Sequence, residues 1–215
     1  MRAVPLAVLS VGAFTAGVII SGKSDERDAV ARFGKAWELG DYAAMYAELT
    51  PDSAQDVGMD EFEQAYEGAR RISTAQDVQV LGEARGPLEQ DGDTVVGLPV
   101  TVSTMAFGPV EGEIAVPVAD GGIEWRPNLV FPGLSEGQKL ERTTEVAKRA
   151  PILADDRTPL AEGSAEARTT TGAGGIVTGS LAAPKPAQAK ELAAAGYPEG
   201  SPTGTSGLEL AFNST

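Results

Sequence analysis

Residues 94–125, TVVGLPVTVSTMAFGPVEGEIAVPVADGGIEW, carry apolar side chains at every second position: Val96, Leu98, Val100 and Val102, then Ile114, Val116 and Val118, then Ile123 and Trp125. A period of two belongs to a strand with one buried face, and the earlier pair Val78 and Val80 shares it. Turn signals at DGD (91–93), GP (108–109) and DGG (120–122) separate the runs, so the spacing predicts an antiparallel meander. Pro99 and Pro117 lack the amide donor that a ladder uses; they are expected to weaken their strands or to place them at edges.

Upstream the period lengthens. In RDAVARFGKAWELGDYAAMYAEL, residues 27–49, Val30, Phe33 and Trp37 recur at helical spacing, followed by Tyr42, Met45, Tyr46 and Leu49. Gly40 is suited to end the first helix and Asp41 to cap the second. A third helix is expected from Asp60 to Ile72, with Glu63 completing a capping box, Phe62, Tyr66 and Ala69 on one face, and Arg70-Arg71 at its negative end. Three helices and a curved antiparallel sheet each have one apolar face to cover, which gives a layered α+β domain. The aromatic residues at helical spacing read as core. EQDGDTVV (89–96) clusters carboxylates but lacks the rest of an EF-hand loop, so a hairpin turn is the expectation there and not a calcium site.

The composition narrows the chemistry. The 215 residues are 42% hydrophobic and 22% charged, enough for a core, and 31 acidic against 17 basic residues give a net charge of −14 that repels a nucleic-acid backbone. Cysteine and histidine are absent, which removes thiol nucleophiles, disulfides, the usual zinc sites and every imidazole-dependent triad. No cofactor or metal site is expected.

From Ala3 to Ile20 there is no charge; Arg2 precedes this run and Lys23, Asp25, Glu26 and Arg27 follow it. That order is the pattern of an export signal, and without a small-residue cleavage site after Ile20 it reads as an uncleaved signal anchor over residues 1–24. Across its end, GVIISGKS (17–24) matches G-x-x-x-x-G-K-[ST]. In a phosphate-binding loop Lys23 would reach the phosphates and Ser24 the magnesium. The match needs a parallel βαβ sheet and a metal-binding aspartate, and the best candidate, Asp120, sits in a hairpin signal.

FGKAWELGDYAAMYAELTPDS, residues 33–53, resembles the start of the NTF2-like N-terminal domain that precedes the transpeptidase in a branch of class B penicillin-binding proteins, the branch that includes the methicillin-resistance type. The exit IEWRPNLVFPGLSEGQKLERTTEVAKRAPILADDRTPLAEG, residues 123–163, resembles that family's passage into its pedestal, or dimerisation, domain. The pedestal opening R-G-x-I-x-D-R-x-G-x-x-L-A is matched at Arg149, Ile152, Leu160 and Ala161, while Ala150, Ala154, Asp155 and Arg157 depart from it, a divergence like that of actinobacterial members. AGYPEGSPTGTSGLELAFN is similar to the Y-P-x-G and G-x-x-G-x-E elements at Tyr197, Pro198, Gly200, Gly204, Gly207 and Glu209. By analogy with the family, Arg149 and Glu209 pair across the pedestal.

The resemblance implies an anchor at 1–24, an NTF2-like cone at 25–132 and the start of the pedestal at 133–215, cut short after the apolar run Leu208, Leu210 and Phe212. TTTGAGGIVTGS (169–180) reads as a flexible crossing, and PKPAQAKELAAAG as a short helix ended by Gly196. The S-x-x-K, S-x-N and K-T-G elements that transpeptidation requires are absent from the chain, so it is expected not to be an enzyme itself, although its parent would be a D,D-transpeptidase. The implied role is a spacer in the cell membrane, single-pass, on the outer side, with peptidoglycan and cell-wall synthesis or division proteins as partners. Two alternatives are a free-standing NTF2-like protein with a small-ligand cavity and, further off, a phosphate-loop nucleotide hydrolase.

Overall fold

The computed structural model describes residues 24–145 and 148–212. The expected anchor, and the phosphate-loop match except for the backbone of Ser24, lie outside them. Among the described residues no helix is long and apolar enough to cross a membrane. The chain divides into two compact units, one ending at Arg142 and one starting at Thr143. The first thus runs past the boundary expected at residue 132, because Leu134 and Leu140 still pack against its core.

The first unit opens with four helices: α1 (Ser24–Leu39), α2 (Tyr42–Tyr46), α3 (Pro51–Val57) and α4 (Met59–Ser73). Gly40, at φ +66°, turns the chain out of α1, and Asp41 Oδ1 accepts the Ala44 amide at 3.0 Å to start α2. α3 was not expected. Thr50 caps it by accepting the Ser53 amide at 3.3 Å, with Pro51 in the first turn, where its missing amide costs nothing. The expected Asp60–Glu63 capping box does not form: α4 starts at Met59, because Gly58, at φ +63°, both ends α3 and opens α4.

Five strands follow: β1 (Ala75–Val80), β2 (Arg85–Gln90), β3 (Asp93–Thr104), β4 (Gly108–Ala119) and β5 (Gly122–Ile123). All pair antiparallel, but not as a simple meander. β3 is 12 residues long and seats two six-residue strands in tandem on one edge, β2 against its first half and β1 against its second, with β4 on the other edge. Pro99 therefore lies in a central strand, so of the two outcomes expected for the prolines the edge placement does not hold for it. Its carbonyl accepts the Leu81 amide at 2.8 Å, so its absent N–H faces the seam where β1 has ended and β2 has not begun. Pro117 accepts the Glu124 amide at 2.9 Å on the outer side of β4, which fits the edge reading. Asp91-Gly92 and Asp120-Gly121 have positive φ at both positions, as two-residue hairpin turns require.

The helices cover one face of this curled sheet. Phe33, Met45, Phe62, Leu98, Ile123 and Leu129 are fully buried between the layers, and each such side chain contributes ~1.5–3 kcal/mol. A Cβ at Gly34 would stand 3.0 Å from both Leu98 Cδ1 and Val80 Cγ2, so α1 lies directly on the strands. A 3-10 turn, Pro127–Val130, leads out; Arg126 at its start lies 2.6 Å from Asp93 at the start of β3 and holds that carboxyl below the usual carboxylate range.

The second unit has short elements. β6 (Ile152–Leu153), β7 (Pro159–Glu162) and β8 (Thr169–Thr170) form a three-stranded sheet, and β9 (Leu181–Ala182) pairs with β10 (Thr203–Gly204). The stretch expected to be a flexible crossing contains a helix, α5 (Gly174–Thr178). The expected Ala-rich helix is α6 (Pro186–Ala194), released at Gly196 with φ +86°. α7 (Gly207–Ala211) closes the described chain.

Candidate functional site

In the second unit one acid organises the packing. Glu209 on α7 is 3% exposed and accepts Arg149 Nε at 2.7 Å on one carboxylate oxygen and Arg168 Nε at 2.8 Å on the other. The structure thus brings together Arg149 and Glu209, the two residues the family resemblance singled out, and adds Arg168. The remaining donors of Arg168 reach Ala150 O at 2.9 Å and Gly163 O at 3.1 Å, so one planar guanidinium ties two backbone segments to the acid. Two cations on one carboxylate leave a net positive charge, of which Arg149 is the more exposed member. Nothing in the local sequence AEARTT marks Arg168, since its partners lie up to 41 positions away. The clasp has no nucleophile within it; its chemistry is structural.

In the first unit the helices gather aromatic rings. Tyr66 on α4 is 2% exposed and meets Trp37 edge-on at 5.5 Å, Phe62 at 4.9 Å and Tyr42 in a stacked arrangement at 5.9 Å. Its hydroxyl accepts the Trp125 indole N–H at 3.3 Å, and burial pushes its ionisation above the ordinary tyrosine range. The Tyr42 hydroxyl donates to Glu67 at 2.7 Å; burial first, and that carboxylate second, push it up to about 12. These rings fill the space between the helices and the sheet. A half-open cleft of about 160 Å³ lies where the end of α1, α4 and the start of β1 meet, with Trp37, Tyr42, Tyr66 and Arg70 among its walls. A shallower depression of about 450 Å³ lies between α1 and the 82–84 turn.

Asp120, the aspartate weighed for a nucleotide site, occupies a hairpin turn at φ +50°, and the sheet is antiparallel, so the parallel frame a phosphate loop needs is not present among the described residues. Among those residues no group of three or more acidic side chains is placed to hold a metal ion.

A search of curated proteins finds no match. Residues 26–138, just over half of the chain, match the model of the NTF2-like N-terminal transpeptidase domain, a span that begins in α1, takes in every strand of the larger sheet and ends within the first compact unit. A unit of helices laid on a curled antiparallel sheet, matched over this length, makes the chain a member of the NTF2-like N-terminal transpeptidase domain family.

Proposed function

We propose that this chain is the non-catalytic N-terminal portion of a membrane-anchored class B penicillin-binding protein, and that it holds a downstream transpeptidase away from the outer face of the membrane. The observation that carries this reading is the family match over 26–138, which coincides with an independently packed unit. The clasp of Arg149, Arg168 and Glu209 supports the second unit as the start of a pedestal: it fixes three distant segments with charged hydrogen bonds and offers no reacting group. The uncharged run Ala3–Ile20 would supply the anchor.

A spacer needs rigidity more than a pocket, and the filled core of the first unit suits that role. The free-standing ligand-binding alternative calls for a cavity inside the cone, where Phe33, Phe62, Met45 and Tyr66 stand instead.

Two measurements on the full chain test the proposal. It should sediment with membranes and be released by deletion of residues 1–24, and it should take up no label from a fluorescent penicillin. Recovery in the soluble fraction with residues 1–24 intact would sink the anchor, and covalent labelling would sink the non-catalytic assignment.

A further inference from the structure

We propose that the outer edge of β1 pairs antiparallel with a short extended peptide from a partner protein, one that seats an apolar side chain in the cleft between α1 and α4 and carries a basic residue directly after it. This goes beyond the spacer role and does not depend on it; its test is independent of membrane sedimentation and of penicillin labelling.

β1 is an edge strand, bonded to β3 on one side only. The Leu81 amide donates across to Pro99 O of β3, so by the alternation of an antiparallel ladder the backbone groups of Asp77 and Gln79 face β3 and those of Val78 and Val80 face away. The Val80 amide accordingly donates to Glu38 at 2.7 Å. At the other end Arg70 Nε approaches Ala75 O at 3.4 Å. Between these two side chains the amide and carbonyl of Val78 make no hydrogen bond among the described residues. One residue of an antiparallel partner satisfies both, because a hydrogen-bonded pair exchanges two N–H···O bonds.

The side chain of that partner residue has a defined direction. Residues directly opposite each other across a ladder share one face of the sheet, and Val78 faces the helices, packed against the core. A side chain opposite Val78 is therefore aimed at the cleft, which Val78 itself lines together with Leu39, Tyr42, Val130 and Phe131. These walls are apolar, and the Glu38 carboxylate beside them is already bonded to Lys35 and Val80. Leu39 is 72% exposed, and Tyr42 and Phe131 are half-buried, so apolar surface is left to cover. The cleft volume of about 160 Å³ is close to the roughly 150 Å³ that holds one benzene ring, which suits a single Leu or Phe side chain.

Charge selects the neighbour. The next residue of an antiparallel partner lies opposite Asp77, which is exposed and whose carboxylate has no hydrogen bond or ion pair among the described residues. A Lys or Arg at that position meets an opposite charge directly across the strands. A second copy of this chain paired about Val78 would set Gln79 opposite Asp77 and supply no cation.

The test titrates the full chain with the end-blocked peptide Thr-Leu-Lys-Thr and follows the Val78 amide and the Trp37 indole N–H by nitrogen-correlated NMR. A saturable shift of both is expected, with a dissociation constant on the order of 1 mM. Methylating the leucine nitrogen removes the donor to Val78 O, and serine in place of leucine leaves the cleft unfilled; each change should weaken binding roughly tenfold. Asp77→Lys should reverse the charge preference, so that glutamate in place of the peptide lysine binds better; Asp77 is exposed, and its variant leaves the core intact. No saturable shift at Val78, equal binding of the N-methylated peptide, or an unchanged charge preference in Asp77→Lys would overturn the assignment. A Val78 shift that follows protein concentration without peptide would overturn it as well, giving this edge to a second copy.

Discussion

Glu38 Oε1 accepts the backbone N–H of Val80 at 2.7 Å, so the last turn of α1 is bonded to the last residue of β1. The other carboxylate oxygen accepts Lys35 Nζ at 2.8 Å. Both bonds favour the charged form, the lysine more than the amide, and hold the Glu38 carboxyl below its ordinary value. Stability from this bond is therefore present above the unfolded carboxyl range and is lost as pH falls through the lowered folded value. Glu38→Ala is expected to cost about 1–2 kcal/mol in urea unfolding at neutral pH and almost nothing once the carboxyl is protonated; an equal loss at both pH values would remove the charged hydrogen bond as the cause.

Removing Glu209 leaves two guanidinium groups facing each other with no anion between them. Glu209→Ala should therefore destabilise the second unit by about 3–5 kcal/mol, more than Arg149→Ala, whose side chain is 25% exposed and can be replaced by water. Chemical denaturation followed by a probe confined to that unit gives the order, and a double-mutant cycle of Arg168 with Glu209 should show coupling well outside additivity.

Two glycines should behave differently. A Cβ on Gly204 would overlap the carbonyl oxygen of Glu209, so Gly204→Ala forces α7 away from β10 and should prevent native packing of the second unit. Gly121 has φ +80° but open space around it, so Gly121→Ala bears only the ~1–2 kcal/mol cost of a left-handed conformation. Comparing the protease resistance of the two variants separates steric overlap from backbone strain.

Tyr42 should ionise near pH 12, well above the ordinary 10.0, when phenolate absorbance is followed with the fold intact. Glu67→Gln removes the neighbouring charge and should lower that value in part, leaving the share due to burial. No change in the variant would mean that Glu67 does not contribute.

Much of the first unit was legible because its signals are local. Alternating apolar residues marked β3 and β4, helical spacing marked α1 and α4, and Asp41 sits one position before the helix it caps. The start of α3 is local too: Thr50 followed by Pro51 is a helix start in its own right. β2, RGPLEQ, has no alternation and owes its existence to the free half of the β3 edge, which only the length of β3 reveals. The Arg149–Glu209 contact came from family resemblance, whereas Arg168 joins it through folding of the chain between and leaves no trace in its neighbours.

The outer side of β4 has one further consequence. Pro109 and Pro117 share the parity of the residues whose backbone groups point away from β3, with Glu111 and Glu113 between them, and β5 pairs only at Val118 and Ala119. A foreign strand laid along this border would find amide donors missing near both ends. The arrangement disfavours edge-to-edge pairing of one copy with another along β4.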